Sequence, residues 1–403
     1  MMNDKWATLD KTYLLPTYHR LPIAIAKATG NTLVDTEGKS YLDLFSGLAV
    51  NILGHSHPKI LKTLHEQAEH FLHISNKFLN PPAITLAKRL VENSIPGKVF
   101  FTNSGAEATE SLVKLVHKWS QSQGEGRRGF IVMKRSFHGR TLGAVRLTRQ
   151  AHIYQDFPQP DIPVYEVDPE DVDGLRYWCE HERPAAILAE PILGAGGVQP
   201  LPIETLREME RLCRTHGILL CMDEIQTGIG RTGKLFAYQH AEIEPDLILF
   251  AKGVGGGLPL GGMIARHPLS EVFQPGDHGT TFAPSPLSAA LGNAVLEVLL
   301  DDGGIEMGQR HAEHLWNGLH HLKEKHPQVI TSISGKGMMI GIRTGLSAQT
   351  CTALQQQLML KGYLIDIAQQ TVIRLLPPLT LSTKETDAFI SELDALFTQT
   401  TTD

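Results

Sequence analysis

The sequence predicts an α/β protein that combines a mostly parallel sheet with a second, smaller α/β domain. Two short apolar runs, Ile218–Met222 and Leu247–Ala251, have the length and composition of buried parallel strands. Each run ends beside an ionisable residue, Asp223 or Lys252. Strand and helix patterns alternate again near the C-terminus, as is typical of an α/β layer packed on a larger domain.

Composition narrows the class of protein. The 403 residues carry a net charge of −6 and are 42% hydrophobic, as in an ordinary globular protein with a large core. The acidic balance gives no basic patch, so we expect no nucleic-acid partner. No 18-residue apolar run or apolar N-terminal signal segment is present, so we expect no membrane association and a cytoplasmic location.

The cysteines and histidines give no metal pattern. The four cysteines are widely spaced without a Cys-x-x-Cys pair, which predicts buried free thiols in a reducing compartment. The nineteen histidines are scattered without a His-Glu-x-x-His pattern, so we expect no metal site.

The first part of the chain predicts little regular structure. Residues 1–30 are expected to be irregular because prolines occur at positions 16 and 22. Residues 31–44 predict two short strands with a turn at Glu37-Gly38. A loop over 51–58 then leads to an amphipathic helix over 59–71.

A strand, a glycine turn and a helix N-terminus follow one another at residues 99–119. The strand at Val99 leads into Ser104, Gly105 and Ala106, and the helix extends to about Trp119. Free backbone N–H groups and the helix dipole make such a turn suitable for an anion. A simple helix with Ser104 as its N-cap is the alternative.

Two further strands end at candidate site residues. The strand over 129–133 leads to Phe137 and Arg140; an aromatic ring there can stack on a flat heteroaromatic ring, and an arginine can hold a carboxylate. A surface position is the alternative for Arg140. The strand over 186–189 ends at Glu190, and a helix over 204–216 stops at Gly217.

The C-terminal region predicts a helix over 306–325, two strands around Gly335–Gly337, a helix ending at Gly362, two strands and a last helix. Ser382 and Glu385 form a capping box for that last helix. Arg374 lies in an apolar run, where an arginine is costly unless it has a function.

The pair Asp223 and Lys252 carries the chemical argument. Both residues follow strands of one sheet, so both are expected at the edge where α/β proteins bind ligands. Burial lowers the pKa of a lysine and makes its neutral amine a nucleophile. A Schiff-base lysine and an acidic partner for a ring nitrogen are the two groups that pyridoxal 5'-phosphate (PLP) requires. An ordinary ion pair is the alternative.

The stretches 223–233 and 250–253 resemble the signature of class III aminotransferases, which include acetylornithine, ornithine and 4-aminobutyrate aminotransferases. The resemblance covers about Tyr18 to Leu379. It implies the PLP-dependent transferase fold type I, with a large mixed, mostly parallel seven-stranded sheet and a smaller α/β domain. We expect residues 1–50 to be an N-terminal segment of the small domain, 51–295 the large PLP-binding domain, and 296–403 the C-terminal small domain.

The resemblance also implies roles for individual residues. Lys252 and Asp223 are the expected catalytic pair, and Arg374 is expected to bind the substrate α-carboxylate. The expected cofactor-binding residues are Ser104, Gly105, Ala106, Phe137, Glu190, Asp223, Gln226, Lys252 and Thr281. The expected substrate-binding residues are Tyr18, Arg140, Thr280 and Arg374. Because the family's equivalent of Thr281 reaches the partner subunit's phosphate, the resemblance implies a homodimer with shared sites.

Two motifs depart from the family pattern. Leu193 and Ala195 replace a glutamine and a glutamate, and that glutamate normally pairs with the substrate-binding arginine and moves aside for a dicarboxylate. The stretch 283–286 reads Ala-Pro-Ser-Pro instead of Gly-Gly-Asn-Pro. The resemblance therefore does not extend to the switching glutamate.

The expected reaction moves the terminal amino group of N-acetylornithine to 2-oxoglutarate, giving the semialdehyde and glutamate. Ornithine, succinylornithine and 4-aminobutyrate are alternative donors. Another PLP reaction, such as racemisation, and a non-catalytic PLP-binding protein are the alternatives of other kinds.

Overall fold

A seven-stranded sheet forms the centre of the protein in this computed structural model, which describes residues 2–124 and 126–400. The strands in spatial order are Gly97–Thr102, Gly261–Arg266, Leu247–Phe250, Leu219–Asp223, Ala186–Ala189, Phe130–Met133 and Val164–Val167. Gly261–Arg266 runs antiparallel to both neighbours, and the other pairings are parallel. The predicted α/β class with a large mixed, mostly parallel sheet is confirmed.

The sheet separates two apolar cores, which explains why its strands are continuous apolar runs. In the strand Leu219–Asp223, Leu220 and Met222 belong to one core cluster, whereas Leu219 and Cys221 belong to the other. Side chains alternate between the two faces of a strand, so both faces need apolar residues when helices cover both. The result is a three-layer arrangement with the sheet in the middle.

The helices cover these faces and connect the strands. The α-helices are Met2–Tyr13, Ser46–Ala49, Pro58–His70, Pro81–Glu92, Gly105–Ser122, Leu142–Leu147, Ala151–Tyr154, Val172–His181, Ile203–His216, Pro286–Leu296, Gly304–Lys325, Ala348–Lys361 and Thr383–Thr400. The short 3-10 helices are Ala237–His240, Lys252–Gly255 and Leu269–Glu271, and a π-helical turn covers Glu297–Asp301.

Three smaller sheets lie outside the central one. The first has the strands Ile25–Thr29, Thr32–Asp35, Ser40–Asp43 and Tyr363–Leu364 in that order. The second has the strands Ile330–Lys336, Met339–Thr344, Val372–Leu375 and Asp366–Ala368 in that order. The third pairs Ile192–Leu193 with Gln199–Pro200. The first sheet joins the beginning of the chain to its C-terminal region.

Arg231 is a buried connection between distant parts of the chain. Its side chain is 1% exposed, and its Nη1 donates to the carbonyl oxygens of Met338 and Pro377. Its Nη2 lies 3.4 Å from the hydroxyl oxygen of Ser46. A planar guanidinium has enough donors to serve several acceptors at once, so this residue holds three segments together.

The prediction of irregular structure over residues 1–30 is wrong. Met2–Tyr13 is a helix, and Ile25–Thr29 is a strand paired with Thr32–Asp35. Pro16 and Pro22 lie outside both elements, so the prolines interrupt the backbone only between them. The helix carries an acidic residue in its first turn and Lys11 in its last turn. Both charges interact favourably with the helix dipole and so stabilise the helix.

The other predicted elements agree with the structure to within a few residues. The helices predicted over 59–71, 204–216 and 306–325 are Pro58–His70, Ile203–His216 and Gly304–Lys325. The four cysteines are buried and free. Within residues 2–124 and 126–400, no helix combines the length and apolar character needed to span a membrane, and no cluster suited to a metal ion is found.

Candidate active site

Lys252 and Asp223 line the same cavity, which has a volume of about 1190 Å³. Asp223 is the last residue of its strand and pairs in register with Leu249 on the adjacent parallel strand. That second strand ends at Phe250, two residues before Lys252. Lys252 has a left-handed backbone, with φ 51°, which is uncommon outside glycine and is found at functional sites. The two residues therefore lie together at one edge of the sheet, as the sequence predicts.

The environment of Lys252 favours its neutral amine. Burial is the main cause that lowers the pKa of its side chain, and the charge of Arg374 acts in the same direction. The carboxylates of Asp223 and Glu190 oppose this shift, and the resulting pKa is about 8. An amine with such a pKa is a nucleophile and a proton carrier near neutral pH.

Asp223 is held by a histidine that the sequence argument passed over. Its Oδ2 lies 2.6 Å from Nδ1 of His138, and its Oδ1 accepts the backbone N–H of Ile225 at 3.1 Å. Both side chains are buried. His138 Nε2 has no hydrogen-bond partner among the described residues. The signal in the sequence is the position of His138, directly after Phe137 and close to the end of the strand Phe130–Met133.

Gln226 lines the cavity and carries an unpaired acceptor. Its Oε1 is buried and, in the described part of the chain, has no hydrogen-bond partner. Gly194 faces this amide closely, since a Cβ at Gly194 would lie 2.0 Å from the Gln226 oxygen. A buried polar atom without a partner is costly unless a ligand or water satisfies it, so the wall at Gln226 suits a polar ligand.

The N-terminus of the helix Gly105–Ser122 opens into the same cavity. The Ser104 hydroxyl caps this helix by accepting the backbone N–H of Glu107 at 3.2 Å. Ser104, Gly105 and Ala106 all line the cavity. A Cβ at Gly105 would lie 2.8 Å from Ile225 Cδ1, so glycine allows the turn to pack closely there. Both predictions for this turn, the helix cap and the anion-binding position, are compatible with this geometry.

Glu190 supports the wall around Phe137. One carboxylate oxygen accepts the backbone N–H of Phe137 at 2.8 Å, and the other accepts that of Gly194 at 3.2 Å. Burial raises the pKa of the Glu190 carboxyl to about 7, with a smaller contribution from the charge of Asp223. Arg140 lies on the exposed side, with its guanidinium carbon 5.8 Å from the centre of the Phe137 ring.

Arg374 forms an ion pair that the sequence did not predict. Its Nε and Nη2 lie 2.8 Å and 2.5 Å from the same oxygen, Oδ2 of Asp366. The two residues are opposite each other on the antiparallel strands Asp366–Ala368 and Val372–Leu375. Arg374 is 9% exposed and lines the cavity, so its charge faces the space in front of Lys252.

Three predicted residues do not line this cavity of the single chain. Tyr18 is 69% exposed, and its ring lies beneath the guanidinium of Arg20. The Thr280 hydroxyl accepts a hydrogen bond from the Asn103 amide at 3.1 Å, next to the cavity wall. Thr281 is exposed. The other predicted site residues all line the cavity of a single chain, and these three do not.

A hairpin turn at Gln369 and Gln370 was also missed. Both residues have left-handed backbones, with φ 47° and 64°, and both line the cavity. The amide of Gln369 donates to the carbonyl oxygen of Ala195 at 2.8 Å and to Oε1 of Gln150 at 3.1 Å. Left-handed turns usually require glycine or asparagine, so two glutamines do not predict a turn here.

Comparison with known proteins places this geometry in a family. The family model described as Aminotransferase class-III matches residues 13–397. The acetylornithine aminotransferase of Caldanaerobacter subterraneus subsp. tengcongensis is 39% identical over 394 residues, which cover 97% of this chain and 99% of that protein.

Solved structures agree. The crystal structure of acetylornithine aminotransferase from Elizabethkingia anophelis superposes with a TM-score of 0.89 and 30% identity, covering 98% of this chain and 99% of that one. A structure of ornithine aminotransferase from Toxoplasma gondii, with partial occupancy of PLP at its active site, has a TM-score of 0.92 and 28% identity. It covers 98% of this chain and 94% of that one. The chain therefore belongs to the class III aminotransferases and is a PLP-dependent transaminase.

Proposed function

We propose that this transaminase moves the terminal amino group of N-acetylornithine to 2-oxoglutarate and so forms the semialdehyde and glutamate. The proposal rests on one observation: Lys252 and Asp223 line the same cavity, and the pKa of the Lys252 amine is about 8. The relatives named acetylornithine aminotransferase support this donor over ornithine, succinylornithine and 4-aminobutyrate.

The residues of the cavity fit the cofactor. When bound, PLP supplies an electrophilic aldehyde and a ring that withdraws electrons from the carbon bearing the amine. The unpaired Gln226 oxygen suits a hydroxyl on such a ring, and the helix N-terminus at Gly105 and Ala106 suits its phosphate. Asp223 would hold the ring nitrogen protonated, and Phe137 would pack on the ring face.

Lys252 carries the proton in this proposal. Its neutral amine would take the proton from the carbon that bears the donor's amine and hold it as an ammonium group on Nζ. His138 holds the Asp223 carboxylate in position, because its Nδ1 lies 2.6 Å from Oδ2 of that carboxylate. Glu190 fixes the backbone at Phe137 through its hydrogen bond, and so keeps that side chain in position.

Two arginines would orient the substrates. Arg374 would bind the carboxylate next to the reacting carbon of 2-oxoglutarate, and the more exposed Arg140 would bind the distal carboxylate. Tyr18 and Thr280 would complete the substrate site once a second subunit is in place.

A homodimer with shared sites is part of the proposal. Thr281 would reach the cofactor phosphate of the partner subunit, since it lies outside the cavity of its own chain. Large apolar side chains near this loop support a second copy as the partner: Phe78, Leu79 and Phe282 are 70%, 84% and 67% exposed.

We also propose a cytoplasmic location for this protein.

The domain division is proposed with the boundaries 1–50, 51–295 and 296–403. The pairing of Tyr363–Leu364 with Ser40–Asp43 in one sheet supports grouping the first and last segments as a small domain. The central sheet lies within 51–295.

A coupled assay for glutamate tests the function. Purified protein is incubated with 2-oxoglutarate and, in separate reactions, N-acetylornithine, ornithine, succinylornithine or 4-aminobutyrate. We expect the highest kcat/KM with N-acetylornithine. A clear preference for another donor would overturn the substrate assignment, and no glutamate from any donor would overturn the proposed reaction.

A further inference from the structure

The two substrates of the proposed reaction differ in charge at the reacting carbon. The terminal carbon of an ω-amino donor carries no neighbouring carboxylate, whereas the keto carbon of 2-oxoglutarate does. A cavity arginine that binds this carboxylate therefore has no anionic ligand during the donor step. An unpaired cation in a poorly hydrated site is costly, so Arg374 needs a partner in the protein.

The acids of the cavity wall do not serve Arg374. Asp223 is paired with His138, and Glu190 accepts two backbone N–H groups. Position 195 is alanine and brings no charge to the wall. Among the described residues, the carboxylate bonded to Arg374 is that of Asp366.

The geometry of the pair leaves room for a second anion. Asp366 uses one oxygen to accept from Nε and Nη2, which form one edge of the guanidinium. In the part of the chain that the structure describes, Nη1 forms no hydrogen bond. A guanidinium has five donors and can bind two carboxylates on different edges. The pairing of Asp366 and Arg374 across two strands also fixes the plane of the guanidinium.

We propose that Asp366 is a specificity-determining residue that lets Arg374 serve both substrates: it neutralises the arginine during the donor step and leaves its outer edge open for the carboxylate of the keto acid. The inference rests on the proposed function for the identity of the substrates. Asp366 is fixed in the four-stranded sheet that also holds Arg374. No side chain of the cavity wall therefore has to move between the two half-reactions.

Glutarate, a dicarboxylate without a keto group, is the binding probe. Calorimetry with holoenzyme would compare wild type with Asp366→Asn and Asp366→Ser, which remove the charge, and with Asp366→Glu, which keeps it. We expect the neutral variants to bind glutarate roughly 10-fold more tightly, as for a partly buried charge that loses its internal partner. Asp366→Glu should stay near the wild type.

Single-turnover measurements separate the two half-reactions. We expect the neutral variants to lower kcat/KM for N-acetylornithine by roughly 10-fold without raising the KM for 2-oxoglutarate. Asp161→Asn, which removes an exposed ion-pair partner of Arg128, is the matched control and should change neither.

Unchanged or weaker glutarate binding in both neutral variants, or an equal loss in both half-reactions, would overturn the role of Asp366. If the wild type does not use N-acetylornithine, the proposed function fails. The glutarate comparison still decides whether Asp366 controls the charge of Arg374, because it needs no turnover.

Discussion

His138 and Asp223 form a buried pair in which Nδ1 lies 2.6 Å from Oδ2. The histidine follows Phe137, so one short loop supplies both a cavity-lining ring and the support for the aspartate. His138 itself lines the cavity, so the site supplies its own hydrogen-bond partner for Asp223.

Replacing His138 with alanine should weaken catalysis without unfolding the protein. Asp223 would keep its position but lose its partner, so kcat should fall roughly 10- to 100-fold, which is the worth of one hydrogen bond to a charged group. Steady-state kinetics and the visible absorbance spectrum of the bound cofactor would be measured together. His138→Asn, whose amide can still donate, should recover part of the activity; equal losses in both variants would argue against a positioning role.

The pKa of Lys252 predicts how cofactor uptake depends on pH. Below about 8 the amine is protonated and cannot attack an aldehyde, so uptake of PLP by cofactor-free protein should rise with pH and level off above about 8. Stopped-flow absorbance, corrected with a free amine under the same conditions, would give the profile. A rate that keeps rising through pH 10, as for an ordinary lysine, would contradict the lowered pKa.

Mixed dimers would test whether Thr281 acts across a subunit interface. Thr281→Ala should weaken PLP binding by roughly 10-fold, the equivalent of one hydrogen bond to a charged group. Lys252→Ala should be inactive. If Thr281 serves the partner's site, co-refolding the two inactive or weakened variants at limiting PLP should create dimers with one intact site, and activity should rise above that of either variant.

The separately folded variants, mixed only at the moment of assay, serve as the control for these dimers. Co-refolding that gives no more activity than this control would place Thr281 in its own subunit's site or outside the site altogether.

Glu224 is a structural residue whose contribution should depend on pH. Its carboxylate accepts from the Thr227 hydroxyl and from the backbone N–H groups of Ala237 and Tyr238. Glu224→Gln replaces one of these oxygens, which can accept in either protonation state, with an NH2 group that only donates, so unfolding in urea at pH 5 should show a loss of about 1–3 kcal/mol.

The sign of the pH dependence follows from burial, which raises the pKa of Glu224 from 4.5 to about 7. Because the folded state holds the proton more tightly, wild-type stability from this residue is lost as pH rises through 7. The deficit of the glutamine variant should therefore be smaller at pH 8 than at pH 5. The exposed Glu92→Gln is the control, and a deficit that grows with pH would contradict the assignment.

The sequence predicts those site residues that lie at the ends of buried strands, because a short apolar run marks each strand. Lys252, Asp223, Gln226, Glu190 and Phe137 all lie at or shortly after the ends of buried strands, and the fold brings them to one cavity. Strand ends of a parallel sheet meet at one edge, so local patterns were enough to group them.

The remaining features depend on contacts between distant segments or on weak local signals. The strand Gly261–Arg266 begins with two glycines that read as a loop. Gln369 and Gln370 form a left-handed turn without a turn residue. The pairing of Asp366 with Arg374 needs the register of two strands, which a single sequence does not fix. Tyr18, Thr280 and Thr281 lie outside the cavity of their own chain, so the roles predicted for them require a second subunit.

The wall of the cavity draws on residues from Leu48 to Arg374. On the ribosome, the central sheet can begin to fold while the last quarter of the chain is still unmade, because N-terminal regions emerge first. The pocket closes only after Arg374 has been released. The substrate site is therefore completed late in the biogenesis of this enzyme, after the cavity residues proposed to hold the cofactor, Ser104 to Lys252, have been made.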